Sequence, residues 1–451
     1  MGDELLLARA YNVGLGDCIY VRVPDGEGAK HLLIDCGNKY GSEESLRAAV
    51  ANLETHLPAE EDGRRRLDLL VATHAHEDHV RGFAPELFAG LRIADLWMSA
   101  AMDPDHPQAE GTRALHDFAE AELRRLVDSP SRGLAAWAGG LLALSKSDGV
   151  DALLGALPAD RRLFVHAGTS EARLALFEEP TTRLRVLAPM KDVDGYYLGR
   201  LSDELEKLQA LRAGAADGGG RPTPRLRSAS RPSNVSPEEF DLLRDSLGAS
   251  SLAFVLESGE LVNNTSVVLL LEWRGRRLLF TGDAEVKTAY GGAFKKGKTN
   301  GSWNVMWAKH RDELSRPVDY LKVGHHGSHN ATPWTAKKLR GGPHPVNEIL
   351  DSLLPPVAEG AESPGRRAVV STARTSGYPT IPDPALMEEL GRRVANTRPY
   401  DETPREGHGV PAGRLQPQRT DLERAAGAGA SVPWVDVELA PLNPAPGGAA
   451  P

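Results

Sequence analysis

The chain has 451 residues, of which 41% are hydrophobic and 25% are charged. These values are ordinary for a globular protein, and the length accommodates one large domain with insertions or two domains. The formal net charge of −9 excludes a global basic field, so an anionic substrate has to be met by a local cationic patch or by metal ions.

Three features of the sequence bear on the compartment. Cys18 and Cys36 are the only cysteines, which argues against a disulfide framework and suits a reducing cytoplasm. The opening residues, MGDELLLARAYNVG, lack the basic segment and long apolar run of a signal peptide. No run reaches the roughly 18 apolar residues that are needed to cross a bilayer. We therefore expect a cytoplasmic protein that has no membrane partner.

The N-terminal part is predicted to form strands followed by a helix. The short apolar runs ELLLARAYNV, CIYVRVP and HLLIDCG are separated by Gly, Asp and Pro, as in strands joined by turns. The segment SEESLRAAVANLETHL has helical spacing, a serine cap and acidic residues in its first turn. RLDLLVATHA then has the pattern of a buried strand that ends at a cluster of histidines.

From about residue 85 to residue 212 the pattern becomes mostly helical, as in GTRALHDFAEAELRRLVD and LSDELEKLQALR. RLFVHAG and TRLRVLAP are short strand candidates within this range. We expect a helical insertion here, with a role in capping a site or in binding a protein partner. Residues 213–239 have the composition of a flexible linker.

Strand patterns resume after the linker with SLAFVLESG, NNTSVVLLLEWRG, RRLLFTGDAE, VDYLKVG and RRAVVSTA, and DPALMEELGRRVA is a predicted helix. Residues 401–451 are rich in Pro, Gly and Ala and contain one late strand candidate, VPWVDVEL. Strands in two blocks, each mixed with helices, predict a layered two-sheet α/β fold rather than a doubly wound sheet.

Residues 74–79, HAHEDH, place three histidines and two acids in six positions directly after a strand. Imidazole and carboxylate groups are the ligands that suit zinc, manganese or iron(II). On an extended turn, His74 and His76 can point to one centre while Asp78 and His79 point to an adjacent one. A merely polar loop is the alternative, but four ligand-type side chains in so short a span favour a metal site.

Two further strand ends carry side chains of the same kind. Asp283 follows the apolar strand RRLLF and a tight glycine turn, where a plain structural acid is an equally good explanation. His325 and His326 follow LKVG, and adjacent imidazoles between glycines suggest that one faces a metal and the other faces substrate. If these strands lie side by side, Asp283 can bridge two divalent cations about 3.5–4 Å apart, as in many two-metal hydrolases.

The motifs THAHEDH, TGDAE and HHGS, in that order, resemble the metallo-β-lactamase superfamily and its His-x-His-x-Asp-His signature. More narrowly, NVGLGDCIYVRVP, LLIDCGN, NNTSVVLLL, LLFTGD, LKVGHHGS and VVSTA…YP are similar, in order, to the hydrolase domain of ComEC-type DNA-internalisation proteins. The resemblance implies an α/β fold, a four-layer αββα metallo-β-lactamase sandwich with a helical insertion. It further implies that residues 1–400 form one hydrolase domain, followed by a C-terminal extension over residues 401–451.

The resemblance also implies a set of metal ligands, which are His74, His76, Asp78, His79, Asp283 and His325. Two divalent metal ions are the implied cofactors, with zinc favoured and manganese as the alternative. Asp283 is expected to bridge them, and Asp78, Asp283 and His326 are the implied catalytic residues. Which of His325 and His326 is the ligand stays open.

Four other side chains are candidates for supporting a ligand or touching substrate, namely Asp35, Asn264, Ser328 and His166. Asp35 and Gly37, in LLIDCGN, are expected to shape the floor of the site, with Asp35 beside a ligand rather than on a metal. Capping of loops explains Asn264 and Ser328 equally well. Asp17, in GLGDC, is interpreted as structural or as a support for a ligand.

The sequence departs from the superfamily pattern at two places. The superfamily usually supplies one more histidine before the bridging aspartate, and the candidates are His106, His116 and His166, none of which lies in a recognisable motif. The pair of glycines that follows the histidine cluster in the family is Arg81-Gly82 here. The first metal is therefore expected to be loosely held or completed by water.

The resemblance implies phosphodiester hydrolysis of nucleic acid by a dinuclear, metal-activated hydroxide. GGAFKKGKTNGSWNVMWAKHR places several cations beside Trp303 and Trp307, which suits backbone tracking and base stacking. A solvated loop with two core tryptophans explains these residues slightly better. The alternative function is hydrolysis of a small ester, lactone or thioester, because a fold does not determine a substrate. A non-enzymatic binding module is disfavoured by the intact ligand set.

Overall fold

The computed structural model describes residues 4–127, 148–199, 259–339, 342–358, 365–376, 378–399, 414–423 and 432–443. The predicted linker at residues 213–239 lies outside the described residues. The same is true of most of the strand candidate SLAFVLESG and of the predicted helix LSDELEKLQALR.

Seven strands form the first sheet, in the order β14-β1-β2-β3-β4-β5-β6. Their bounds are β1 (Leu6–Tyr11), β2 (Cys18–Asp25), β3 (Gly28–Cys36), β4 (Arg65–Ala72), β5 (Leu91–Ser99), β6 (Ala159–Val165) and β14 (Trp434–Leu439). The strands from β14 to β3 pair antiparallel, whereas those from β3 to β6 pair parallel.

The second sheet also has seven strands, in the order β12-β13-β11-β10-β9-β8-β7. Their bounds are β7 (Arg183–Ala188), β8 (Val268–Trp273), β9 (Arg276–Phe280), β10 (Tyr320–Val323), β11 (Arg367–Val370), β12 (Thr397–Pro399) and β13 (Leu415–Arg419). Strands β9, β10, β11 and β13 pair parallel, and the flanking pairs are antiparallel. Both sheets are therefore mixed.

Helices pack on the outer face of each sheet. Their bounds are α1 (Glu43–Glu54), α2 (Glu77–Val80), α3 (Glu110–Val127), α4 (Asp148–Asp151), α5 (Ser302–Lys309), α6 (Arg311–Leu314), α7 (Asn347–Leu353) and α8 (Pro384–Gly391). As predicted, a serine caps α1, since the side chain of Ser42 accepts a hydrogen bond from the backbone of Ser45. No helix in the described part of the chain is both long enough and apolar enough to cross a membrane.

Successive side chains of β4 point to opposite faces, and both faces are buried. Leu69 and Val71 belong to the core between the sheets, whereas Leu70 and Ala72 pack with α1. This arrangement explains why the sequence LLVA, at residues 69–72, is continuously apolar rather than alternating. Helices α5, α7 and α8 pack in the same way on the second sheet. The molecule is thus a mixed α/β sandwich with the layer order αββα, as the sequence predicted.

Two predicted segments contribute more to the sheets than expected. The range 85–212, predicted as a helical insertion, contains the sheet strands β5, β6 and β7. Strand β5 was not anticipated, because its second half is buried on both faces and has no period-two signal. In the range 401–451, β14 pairs with β1, and β13 lies inside the second sheet. The extension predicted there therefore completes both sheets.

Candidate metal centre

Three loops at strand ends meet at one edge of the sandwich. Residues 74–79 follow β4, Asp283 follows β9, and His325 follows β10. Strands β9 and β10 are parallel neighbours, so their carboxyl ends lie side by side. The loop after β4 reaches the second sheet, where Thr73 O accepts a 2.9 Å hydrogen bond from the backbone N–H of Val267. The fold therefore brings together the three clusters that the sequence singled out.

Four buried side chains lie close enough to share one metal ion. Asp78, His79, Asp283 and His326 each offer a ligand atom, and these atoms all lie within 4.8 Å of one another. His79 Nε2 is 3.1 Å from Asp283 Oδ1, and His326 Nε2 is 3.1 Å from Asp78 Oδ2. Two imidazoles and two carboxylates form a donor set that suits zinc, manganese or iron(II).

The polar atoms at this point are poorly satisfied by the protein itself. His79 Nε2, Asp78 Oδ1, Asp283 Oδ2 and His74 Nε2 are buried and make no hydrogen bond within the described structure. An unsatisfied buried polar group costs about 1–3 kcal/mol, and more when it is charged. A divalent cation bound among these atoms would remove that penalty. The residues present therefore fit a metal ion.

Asp35 lies behind His79 and fixes the orientation of its ring. Asp35 Oδ2 is 2.8 Å from His79 Nδ1, and its two carboxylate oxygens accept 2.7 Å hydrogen bonds from the backbone and the hydroxyl of Thr73. With Nδ1 bonded to the carboxylate, His79 Nε2 is left facing the cluster. A carboxylate of this kind sets the tautomer and orientation of a metal-ligating histidine.

The predicted ligands His74 and His76 lie beside the group of four rather than within it. His74 Nε2 is 3.9 Å from Asp283 Oδ2, and the His74 ring is 4.2 Å from the His79 ring and 4.9 Å from the His76 ring. His74 is buried, and His76 is half-buried. The two rings therefore lie side by side, with His74 close to Asp283.

The sequence left open which of His325 and His326 is the ligand, and in the structure it is His326 that lies with the other potential ligands. His326 belongs to the group of four, with Nδ1 3.1 Å from the carbonyl oxygen of Ser371. His325 is outside that group, and its Nδ1 is 3.1 Å from Glu285 Oε1. Both histidines have positive φ angles, 43° and 55°, so the backbone turns sharply between them and directs the rings differently. No sequence pattern specifies that turn.

Asn264 and Ser328 cap loops in the structure. The Asn264 side-chain oxygen accepts hydrogen bonds from the backbone N–H groups of Glu285, at 3.2 Å, and Ser302, at 2.7 Å. The Ser328 hydroxyl donates to Asn330 Oδ1 at 2.6 Å. Of the two roles left open for these residues, the structure shows the capping role.

The three additional histidine candidates are not in the group of four. His166 Nδ1 is 2.8 Å from the carbonyl oxygen of Ala167, and His106 Nδ1 accepts a hydrogen bond from the backbone of Gln108. His116 lies on α3. None of the three belongs to a set of potential ligands among the described residues.

Two charged residues near the site escaped the sequence interpretation. Lys322 is buried in β10, with Nζ 2.9 Å from both carboxylate oxygens of Asp17. Glu285 is buried beside His325 and accepts a 2.9 Å hydrogen bond from Asn263. A lysine within the apolar strand YLKV was the available signal for the first. An acid two residues after the predicted bridging aspartate was the signal for the second.

The tryptophans of the cationic loop are part of the core. Trp303 and Trp307 are 1% and 7% exposed, and Trp303 Nε1 donates a 2.9 Å hydrogen bond to the carbonyl oxygen of Ala331. The Arg311 guanidinium lies 3.8 Å from the centroid of the Trp307 ring. These rings are therefore not available to stack on bases, and core packing is the explanation that the structure supports.

Burial and mutual charge set the protonation of the cluster. Burial outweighs the nearby carboxylates at His76 and lowers its pKa to about 4, and it also lowers the pKa of His74. For His79, the carboxylates of Asp283 and Asp35 outweigh burial and raise the pKa. Because metal ligands must be deprotonated, metal binding is expected to displace a proton from His79.

Comparison with known families agrees with this geometry. A mixed αββα sandwich with a buried His/Asp cluster at its strand ends is the architecture of a class of metal-binding enzymes. Residues 11–129 match the family model of the metallo-beta-lactamase superfamily, whose members are mostly metal-dependent hydrolases. The match includes Asp35 and residues 74–79. No curated protein matches the chain.

Proposed function

We propose that this protein is a metal-dependent hydrolase that cleaves phosphodiester bonds. The observation that carries the proposal is the group formed by Asp78, His79, Asp283 and His326, whose ligand atoms converge and leave His79 Nε2, Asp78 Oδ1 and Asp283 Oδ2 buried without a hydrogen bond. Such a set is costly for a buried site unless a cation completes it. The superfamily match of residues 11–129 supports the same reading.

The proposed ligands of two metal ions are His74, His76, Asp78, His79, Asp283 and His326. Asp283 is the proposed bridge, because its carboxylate oxygens lie 3.1 Å from His79 Nε2 and 3.9 Å from His74 Nε2. Divalent metal ions held by these residues would supply Lewis acidity and would lower the pKa of water.

The remaining side chains orient the site and meet the substrate. Asp35 holds the ring of His79, and the carbonyl oxygen of Ser371 holds that of His326. The His325 side chain is 24% exposed, and Glu285 lies against its Nδ1. We assign His325 to a hydrogen bond with a substrate oxygen, in a ring orientation that Glu285 determines.

Two features favour a phosphodiester over a carboxylic ester. The order of the motifs resembles that of ComEC-type hydrolase domains, whose substrate is nucleic acid. In addition, the ammonium of Lys39 is close enough to interact electrostatically with Asp78. A cation beside the ligands favours an anionic substrate in a chain whose net charge is −9.

The test is cleavage of labelled single- and double-stranded DNA and RNA, together with lactone and thioester substrates, by protein of measured metal content. The critical variant is Asp283→Ala, and the matched control is Asp319→Asn, an acid at the opposite end of β10 that pairs with Arg276. We expect phosphodiester cleavage by the wild type and the control, and none by Asp283→Ala. Cleavage that persists in Asp283→Ala refutes the metal centre. Activity on lactones or thioesters alone moves the assignment to the alternative substrates.

A further inference from the structure

A short segment after β3 passes directly beside the proposed metal ligands. The backbone of Gly37 is so close to that of His79 that a Cβ atom at Gly37 would lie 2.5 Å from it. Two residues further on, the backbone N–H of Lys39 donates a 2.6 Å hydrogen bond to the carbonyl oxygen of Leu15. These contacts hold Lys39 and the following Tyr40 in defined positions next to the site.

The ammonium group of Lys39 lies between two tyrosine rings. Its Nζ is 5.4 Å from the centroids of both Tyr40 and Tyr378, and it donates a 3.2 Å hydrogen bond to the Tyr378 hydroxyl. Burial lowers the pKa of Lys39, and the carboxylates of Asp78 and Glu77 partly offset this effect. Asp78 also raises the pKa of Tyr378, so Lys39 and Tyr378 both lie close enough to the site to interact electrostatically with Asp78.

The ammonium group has hydrogen-bonding capacity to spare. An ammonium carries three N–H donors, and the one hydrogen bond found for Lys39 Nζ among the described residues is that to Tyr378. The residue is only 8% exposed, so water can solvate the group poorly. A desolvated cation with unused donors is well suited to bind an anionic oxygen.

Tyr40 has the opposite character, because its ring projects into solvent. The residue is 61% exposed, and its φ angle of 57° lies in the left-handed region that disfavours non-glycine residues. Core packing explains neither the exposure of the Tyr40 ring nor its left-handed backbone. The Tyr40 and Tyr378 ring centroids are 6.0 Å apart, so Tyr40 forms the outer part of an aromatic surface beside a cation.

We propose that Lys39, Tyr40 and Tyr378 form an anchor for single-stranded nucleic acid, in which Lys39 binds a phosphate next to the bond to be cleaved and Tyr40 stacks on an unpaired base. Tyr378 positions the ammonium group. This inference rests on the proposed phosphodiester hydrolysis and narrows its substrate class. Paired bases are stacked inside a duplex, so an exposed ring selects single strands, and stacking on it tolerates any base.

Binding and cleavage are measured separately to test the anchor. The probes are a fluorescent phosphorothioate oligothymidylate and an abasic oligonucleotide with the same number of phosphates, each titrated with metal-containing protein and followed by anisotropy. Tyr40→Ala is expected to weaken binding of the oligothymidylate about fivefold or more and to leave the abasic strand unaffected. Lys39→Gln is expected to weaken binding of both strands. It should also reduce the slope of log affinity against log salt concentration by about one, because one phosphate contact is lost.

Matched variants distinguish loss of the anchor from a change in net charge or a loss of folding. Lys39→Arg keeps the charge and should retain binding. Lys309 is the matched control, because it belongs to α5 and its ammonium also lies 5.3 Å from the centroid of a tyrosine ring, that of Tyr196. Lys309→Gln should not change the difference in affinity between the oligothymidylate and the abasic strand. Circular dichroism and thermal melting establish that each variant is folded.

The outcomes distinguish the anchor from the proposed function. Equal binding of both probes, equal effects of Tyr40→Ala on both, or no binding at all overturns the anchor, even if the protein cleaves small phosphodiesters. Binding that depends on Tyr40 without any phosphodiester cleavage supports the anchor as a nucleic-acid site and overturns the proposed function.

Discussion

At the scale of single residues, the site depends on buried carboxylates that act through histidines. Asp35 contacts only one nitrogen of His79, yet that contact determines which nitrogen faces the cluster. Glu285 has an equivalent position beside His325. Each acid is buried, so its charge is poorly screened and its effect on the imidazole is strong.

Replacing Asp35 by Asn should weaken metal binding by roughly 10–100-fold, because His79 loses the carboxylate that fixes its tautomer. Competition with a chromogenic chelator measures the affinity. Asp68→Asn is the matched control, since Asp68 is another buried acid in the first sheet but contacts the backbone of His31. Unchanged metal affinity in the Asp35 variant would show that His79 does not need this support.

The two adjacent histidines should respond differently to removal. His326→Ala should lower the bound metal, because His326 lies in the group of four. His325→Ala should keep the metal and reduce kcat by about tenfold or more, as expected for the loss of a hydrogen bond to a charged group. Metal analysis and steady-state kinetics on the same preparations decide the matter. Loss of metal from the His325 variant alone would identify His325, and not His326, as the metal ligand.

At the scale of elements, β10 connects the two sheets beneath the site through a buried ion pair. Lys322 and Tyr320 lie on the same face of β10, and Tyr320 belongs to the core between the sheets. Lys322 therefore points toward the first sheet, where it meets Asp17. The backbone of Asp17 in turn donates a 3.1 Å hydrogen bond to the carbonyl oxygen of Asp78. The pair thus fastens a ligand-bearing loop to the opposite sheet.

Lys322→Met should lower the free energy of unfolding by about 3–5 kcal/mol, because it leaves the Asp17 carboxylate buried without a counter-charge. The double variant Asp17→Asn, Lys322→Met should recover much of that loss. Urea denaturation of the three proteins measures the effect. If the double variant is as unstable as the single one, the geometry of the pair matters more than its charge balance.

At the scale of the whole molecule, burial of histidines makes the stability depend on pH. Burial lowers the pKa of His31, His56 and His310, none of which belongs to the candidate metal centre. Below an unfolded pKa of about 6.5, the unfolded chain takes up protons that these folded histidines resist. Acidification therefore favours unfolding. The raised pKa of His79 also stabilises the folded protein, but this contribution is fully present below pH 6.5. It therefore does not change on further acidification.

We expect the melting temperature of metal-free protein to fall as the pH decreases from about 6.5 to 5. Calorimetry across that range measures the trend. His31→Gln should make the dependence shallower, because one of the histidines that resist protonation is gone. A melting temperature that stays constant or rises on acidification would contradict this account, because the stability contributed by the raised pKa of His79 no longer changes over that range.

The three ligand-bearing loops and a layered two-sheet fold were predictable from local patterns, whereas the layer order αββα was implied by the resemblance to the metallo-β-lactamase superfamily. Apolar runs ending in HAHEDH, in TGD and in HHGS are local signals, and parallel strands bring their ends to one edge. Strand β5 was missed because burial on both faces removes the alternation that identifies a strand. Strand β14 was predicted from VPWVDVEL, whereas β13 was missed because its pairing depends on a partner far away in the chain.

The sequence by itself determined which side chains are available for a metal centre and that they follow strands, because strand and turn patterns are local. Only the tertiary structure decided how those side chains are used. Two consecutive left-handed residues direct His326 rather than His325 into the cluster. The packing of Gly37 against His79 places Lys39 beside the site. Contacts between distant segments, and the backbone angles they stabilise, leave no periodic trace in a sequence.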